Sequence, residues 1–309
     1  MVFPLQRTDT LPDGGHAYVY DVQGDILTYK IPPHGFNPLQ AGPAQLAEYG
    51  LPPRPRAPGA LAQWTRMMQR MKLVPPPPHL IGAPIQASTT PTTSLNWSGY
   101  MATSSSASAY YFIEGIWYEP SITANSCGST SEEVTWVGLG GSSGNLPLAQ
   151  DGTIAGNGYN HQAWSEVLPD QPTIVLQPLS AQPGYEFTAE VNLLSGGGGY
   201  NFYMYDSYTG NSVSFQQATN SYDGSTAEFI TERPLNTNTE MYYPLADFGE
   251  VEWADTWVNS NSSSSYGIGS YPNDQITMTS NGDSSGTLLA SPGSIYDNQL
   301  FYDYYYNCD

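Results

Sequence analysis

From about residue 94 onward, apolar and polar positions alternate in short runs, and Gly, Ser, Asn and Pro clusters separate the runs. AYYFIEGIWYEP, EEVTWVGLG, NHQAWSEVLP, PTIVLQP, YEFTAEVNLL, YNFYMYDSY, AEFITER and FGEVEWADTWV are rich in aromatic or β-branched residues. Period-two alternation of this kind predicts strands, because successive side chains of a strand point to opposite faces. No helical periodicity intervenes, which predicts an all-β domain built as a sandwich or barrel. SGGGG (195–199) and NSNSSSSYG (259–267) read as loops.

The first 88 residues read differently. YVYDVQGDILTYKI (18–31) predicts two short strands around Gly24, and a linker with Pro52, Pro53, Pro55 and Pro58 follows. In ALAQWTRMMQRMKL (60–73), Leu61, Trp64, Met68 and Met71 recur at helical spacing, with Arg66 and Arg70 one turn apart. This predicts a short, basic, amphipathic helix. Such a helix can bind a membrane or a partner protein, and docking on its own chain is the simpler reading. PPPPH (75–79) stops it, because proline removes a backbone donor. The predicted division is therefore 1–88 and 89–309.

Charge sharpens that division. Residues 1–87 hold seven basic and five acidic residues, net +2, whereas the remainder holds one basic and 23 acidic residues, net −22. Nucleic acid and anionic membranes are poor partners for a chain of net charge −20. Acid unfolds proteins by protonating carboxylates and leaving cations to repel one another. A domain whose cations are Arg233 and at most His161 escapes that repulsion, so acid adaptation is expected. A halophilic surface is the alternative, but halophiles carry high total charge and here charged residues make up 12%.

Cys127 and Cys308 are the two cysteines. In an extracellular protein such a pair suggests one disulfide closing a long loop, with unpaired thiols as the alternative. No run reaches the ~18 apolar residues of a membrane span. MVFPLQRTDTLPDGG lacks the apolar stretch of an ordinary signal peptide.

The familiar catalytic constellations are missing. The segment after residue 88 has one histidine, His161, so a Ser-His-Asp triad must use it. No zinc-ligand spacing, phosphate loop or Asp-Thr/Ser-Gly repeat is present, and neither metal nor cofactor is expected. Carboxylates, amides and aromatics remain. Alternation puts Glu228, Ile230 and Glu232 on one face of a strand; Gln162, Trp164 and Glu166 on one face of another; and Glu132, Val134, Trp136 and Gly138 on one face of a third. LPLAQDG places Gln150 between a proline-containing approach and an expected Gly turn. Taken singly, a strand Glu is usually solvated and a strand Trp is usually core.

In their order along the chain these segments resemble the glutamic peptidases, or eqolisins. The matching motifs are Asn96-Trp97-Ser98-Gly99, Trp136-Val137-Gly138, Gln150 in LAQDG, Ala163-Trp164-Ser165-Glu166, AEFITE ending at Glu232, and Pro244-Leu245-Ala246-Asp247-Phe248. The resemblance covers about residues 94–258. Two positions depart from it, since Leu139-Gly140 and Gln162 stand where the family often has Asp.

The resemblance implies an antiparallel β-sandwich of two sheets, a concanavalin-like jelly roll, preceded by a small pro-segment with a short helix. It implies a catalytic pair, Gln150 and Glu232, with Trp136, Glu166, Asn96, Trp97 and Trp164 around it. It also implies an acid-acting, secreted, monomeric endopeptidase on protein or peptide substrates, with its own pro-segment as an intramolecular inhibitor. At neutral pH, Arg66, Arg70 and Lys72 are expected to hold that segment over the groove by facing carboxylates, and acid is expected to release it. Two rival readings are an acid glycoside hydrolase with Glu166 and Glu232 as its carboxyl pair, and a carbohydrate-binding sandwich. Asn96-Trp97-Ser98 and Asn261-Ser262-Ser263 also fit glycosylation sequons.

Overall fold

The computed structural model describes the chain apart from residues 1–3, 23, 57, 75–78, 81–92, 125, 142–146, 157, 237–238 and 261–264. The N-terminal part forms strands β1 (Leu5–Thr10), β2 (His16–Val22) and β3 (Asp25–Ile31), then helices α1 (Pro43–Glu48) and α2 (Pro58–Arg70). The main strands that follow are β4 (Trp97–Thr103), β5 (Tyr110–Tyr118), β6 (Glu132–Gly140), β7 (Leu148–Gly156), β8 (Tyr159–Leu168), β9 (Gln171–Ser180) and β10 (Glu186–Leu193). They continue with β11 (Gly199–Asp206), β12 (Asn211–Ala218), β13 (Thr226–Glu232), β14 (Glu250–Ser260), β15 (Asn273–Thr279), β16 (Leu288–Pro292) and β17 (Phe301–Tyr305).

These strands build the expected antiparallel sandwich. The front sheet runs β15-β4-β13-β6-β7-β8-β9. The back sheet runs β1-β2-β3-β12-β11-β10-β5-β14-β17-β16-β15. Strand β15 belongs to both, pairing through Asn273–Ile276 with β4 and through Met278 and Thr279 with β16. The two sheets are therefore joined along one edge.

Alternation sends one face of each sheet inward. Val137, Leu139, Ala149 and Phe229 of the front sheet meet Trp117, Phe187, Phe202 and Trp253 of the back sheet. The Trp117 ring lies 5.2 Å from both Phe187 and Trp253. Each fully buried aromatic of this kind contributes roughly 1.5–3 kcal/mol. A second apolar cluster, including Trp97, Val134, Trp136, Trp164 and Ile230, lies on the outer face of the front sheet and is also buried. The Cys127–Cys308 disulfide is formed, with Cα atoms 5.4 Å apart across 181 residues.

Gly152 lies inside β7, where LPLAQDG led to the expectation of a turn. A Cβ there would come within 2.0 Å of the Thr135 carbonyl, so the glycine serves close strand approach rather than chain reversal.

The N-terminal segment sits elsewhere than charge suggested. β3 extends the back sheet by pairing Thr28 and Leu27 with Gln216 and Gln217, and Lys72–Leu73 pair with Asn211–Ser212. α2 lays Trp64, Met67 and Met68 against Tyr203 and Tyr205 on the outer face of that sheet. This is the opposite side of the sandwich from the front sheet's outer face. Among the described residues, Arg66, Arg70 and Lys72 make no ion pair; Arg70 donates instead to the Ser207 carbonyl at 2.8 Å. Apolar packing and backbone pairing hold the segment.

Candidate active site

The outer face of the front sheet collects the motif residues in cross-strand rows. One row is Glu166–Gln150–Gly138–Glu228, the next is Trp164–Gly152–Trp136–Ile230, and the third is Ile154–Val134–Glu232–Trp97. Period two along each strand thus becomes a two-dimensional array across four adjacent pairings. All seven residues expected around the site lie on or beside this face, with Asn96 just before β4.

Glu232 is fully buried. Asn96 Nδ2 donates to its Oε1 at 2.6 Å, and Trp136 Nε1 donates to its Oε2 at 2.8 Å. Burial pushes its carboxyl well above the usual range; the Asn96 and Trp136 donors pull it back, and the charge of Glu166 adds to the rise. A strand glutamate taken singly is usually solvated, and here it is not. The structure places both Glu232 and Gln150 at zero exposure.

Gln150 Nε2 donates to Glu166 Oε2 at 2.7 Å across the β7–β8 pair. A primary amide has two N–H bonds, so one is fixed by this contact and the other remains for a further acceptor. Gln150 and Glu232 are not hydrogen-bonded to each other; β6 separates their strands.

The Trp136-Val137-Gly138 motif now has a physical reason. A Cβ on Gly138 would meet Trp136 Cζ3 at 2.7 Å and Leu148 Cδ1 at 2.9 Å. Only a missing side chain lets the indole lie along the sheet, and that orientation delivers Nε1 to Glu232. The Trp97 ring packs edge-on against Trp136 at 5.0 Å and locks it from the side. Trp164 contributes to the same buried cluster.

Some supporting residues carried no signal in the motifs. Arg233 donates through Nε to the Leu95 carbonyl at 2.7 Å and through Nη1 to Asp309 at 2.7 Å, while its backbone N–H bonds Asn96 O. It fixes the chain from which Asn96 reaches Glu232. The one available clue was that Arg233 is the single basic residue after position 88. Ser98, on the opposite face of β4, donates to buried Asp303 at 2.6 Å.

The remaining sequence candidates fall away from this face. His161 Nδ1 is 2.7 Å from Glu119 Oε1, and Glu119 also accepts from Trp117 and Thr153, so the histidine is tied into the sandwich. No cluster of metal-binding side chains occurs among the described residues. The Asn96 sequon is buried against Glu232, and Asn261-Ser262-Ser263 lies outside the described residues.

Comparison with known proteins agrees with this fold. Residues 95–295 match the Peptidase A4 family, and the chain belongs to that family, the eqolisins. It is accordingly a glutamic peptidase, a hydrolase of peptide bonds. Among solved structures, scytalido-glutamic peptidase with a transition-state analogue inhibitor is similar, with a TM-score of 0.57 and 20% identity, covering 68% of this chain and 98% of that one. SCP-B, an eqolisin in complex with the tripeptide Ala-Ile-His, is similar at a TM-score of 0.52 and 20% identity, with the same coverage. No curated protein sequence matches the chain.

Proposed function

We propose that this chain is an acid-acting endopeptidase in which Glu232 is general base and acid and Gln150 stabilises the oxyanion, made as a proenzyme and secreted as a monomer. The observation that carries the reading is the pairing on one face of a carboxyl held by N–H donors with an amide whose free N–H is oriented by Glu166. Burial opposes the ionised form of Glu232, and the Asn96 and Trp136 donors counter that rise, so ionised Glu232 is available in mild acid rather than strong acid.

In the reaction, ionised Glu232 takes a proton from water, and the resulting hydroxide attacks the scissile carbonyl. Gln150 donates to the oxygen that becomes negative, a role worth roughly 3–4 kcal/mol when such a donor is lost. Protonated Glu232 then returns the proton to the amine as the C–N bond breaks. Unlike histidine, an amide stays a neutral donor in acid, so the pair works where a His base would be charged.

For the proenzyme, the support is the way the N-terminal segment is tethered. His79–Leu80 pair with Val175 and Leu176 at one edge of the front sheet, and Thr93–Ser94 pair with Thr277 and Met278 at the other. Processing is placed within 75–88, a stretch that falls mostly outside the described residues.

The test is digestion of a denatured protein and of soluble polysaccharides by the purified chain between pH 2 and pH 8, with N-terminal sequencing of the enzyme. Protein cleavage in acid, with a new N-terminus near residues 76–89, is expected. Polysaccharide cleavage, or peptidase activity confined to neutral pH, overturns the reading.

A further inference from the structure

The back sheet's outer face carries a second group of carboxyls that the peptidase chemistry does not use. Glu114 and Glu190 are directly opposed across the β5–β10 pair, and the same row continues into Tyr203 of β11. On the other side of Glu114, Asp255 of β14 pairs with Ile116. Helix α2 reaches Tyr203 at one end of this row and, on β14, Asp255, which lies one row over from Trp257, the partner of Glu114. Trp64 and Met68 pack with Tyr203, while Gln63 approaches the Asp255 carboxyl and Arg66 lies within electrostatic reach of it. Along the sheet, Glu114 on β5 and Glu190 on β10 lie between those two contacts on β11 and β14.

We propose that this face is a proton-gated docking surface for the N-terminal segment: α2 stays seated in acid and is shed as the pH rises towards neutrality.

The charges facing the group favour this sign. Like-charged Glu114 and Glu190 face each other, with Asp255 beside Glu114, Asp151 near Glu190 and Glu186 near Asp255. Against them stand Arg66, near Asp255, and Arg70, whose charge acts on Tyr205. Among the described residues neither arginine forms an ion pair with these carboxyls. Gln299 Nε2 donates to Asp255 at 2.7 Å, and Glu190 Oε2 has no hydrogen-bond partner.

Burial, with Asp255 adding to it, pushes Glu114 up to about 8; burial pushes Asp255 up to about 6 and raises Glu190 as well. Carboxyls whose values rise on docking bind more protons in the docked state. Their contribution to docking is complete below the ordinary carboxyl range and is lost as the pH climbs through the raised values. Acid thus seats the helix, the reverse of a latch made of ion pairs.

Hydrogen exchange on the full-length Glu232→Gln chain tests this, because that variant limits self-digestion and the readout does not depend on whether Glu232 is catalytic. After correction for intrinsic exchange rates, amides of 61–70 are expected to lose protection by at least about tenfold between pH 4.5 and pH 7.5, one pKa unit for a single group. The amides of β6 and β13, which report the stability of the whole fold, should lose less over that range. Adding Glu114→Gln and Glu190→Gln should remove most of the pH dependence of the helix, leaving the part due to Asp255; Asp255→Asn alone, at the rim, should reduce it if the double variant fails to fold. Helix protection that does not change with pH, that falls no more than that of β6 and β13, or that falls undiminished in the Gln variants, overturns the proposal.

Discussion

Gln150 and Glu166 stand opposite one another on neighbouring strands, and the amide of the first is bonded to the carboxyl of the second at 2.7 Å. The contact ties the orientation of Gln150 to a charge that also acts on Glu232. Glu166→Gln should therefore do two separable things. It should lower kcat by at least about tenfold, or 1.4 kcal/mol, because the amide loses its charged anchor. It should also move the acid limb of the pH profile downward, because the charge that raises Glu232 is gone. A kcat loss with an unmoved acid limb would deny the coupling.

Trp136→Phe acts in the opposite direction. The indole donor pulls Glu232 down, so its removal raises that carboxyl and shrinks the ionised fraction at any given acid pH. A hydrogen bond to a charged group is worth about 1.5–3 kcal/mol. The acid limb of kcat/KM should thus move up by about one to two pH units. Gly138→Ala should shift it the same way by displacing the ring, and pH–rate profiles of both variants check this.

Fold stability should also depend on pH, with acid as the favourable side. Burial raises Glu133, Asp151 and Glu228 well above the ordinary range and pushes Asp303 up to about 7. Groups with raised folded-state values stabilise the fold below the unfolded values, and that stability is lost as the pH rises through the folded ones. Melting temperature should fall from mild acid towards pH 8, and Asp303→Asn should flatten the decline around pH 7. Thermal melts across that range measure it.

The disulfide closes a loop of 181 residues, which in the chain-entropy model is worth on the order of 5 kcal/mol. Cys127→Ser with Cys308→Ser should lower the denaturation midpoint accordingly in non-reducing buffer. The proposed catalytic pair, Gln150 on β7 and Glu232 on β13, should keep its activity at temperatures where the variant remains folded.

The strands with aromatic or β-branched runs were legible because alternation survives wherever one face is buried. β7 was hidden by Gly152 and Pro147, which read as turn residues although Gly152 marks a close strand approach. β12, with its serines and glutamines, covers a face shared with the N-terminal segment, so its polarity masked a central strand. Motif order picked out residues that the fold gathers on or beside one outer face of the front sheet. Burial of Glu232 could not be read, because it depends on which strands flank β13 and on where Asn96 and Trp136 reach. The seat of α2 was misjudged because net charge says how strongly two parts attract, and apolar packing on Tyr203 and Tyr205 decides where they meet.

The central claim is that Glu232 and Gln150 do the chemistry. The most direct measurement is kcat for peptide cleavage, at the pH where the wild-type chain is most active, in Glu232→Gln and Gln150→Ala, each checked by circular dichroism for an intact fold. Loss of detectable turnover in the first is expected, and a fall of roughly 10²–10³ in the second, the loss typical of removing one oxyanion donor. Folded variants that both retain most of the wild-type kcat would contradict it.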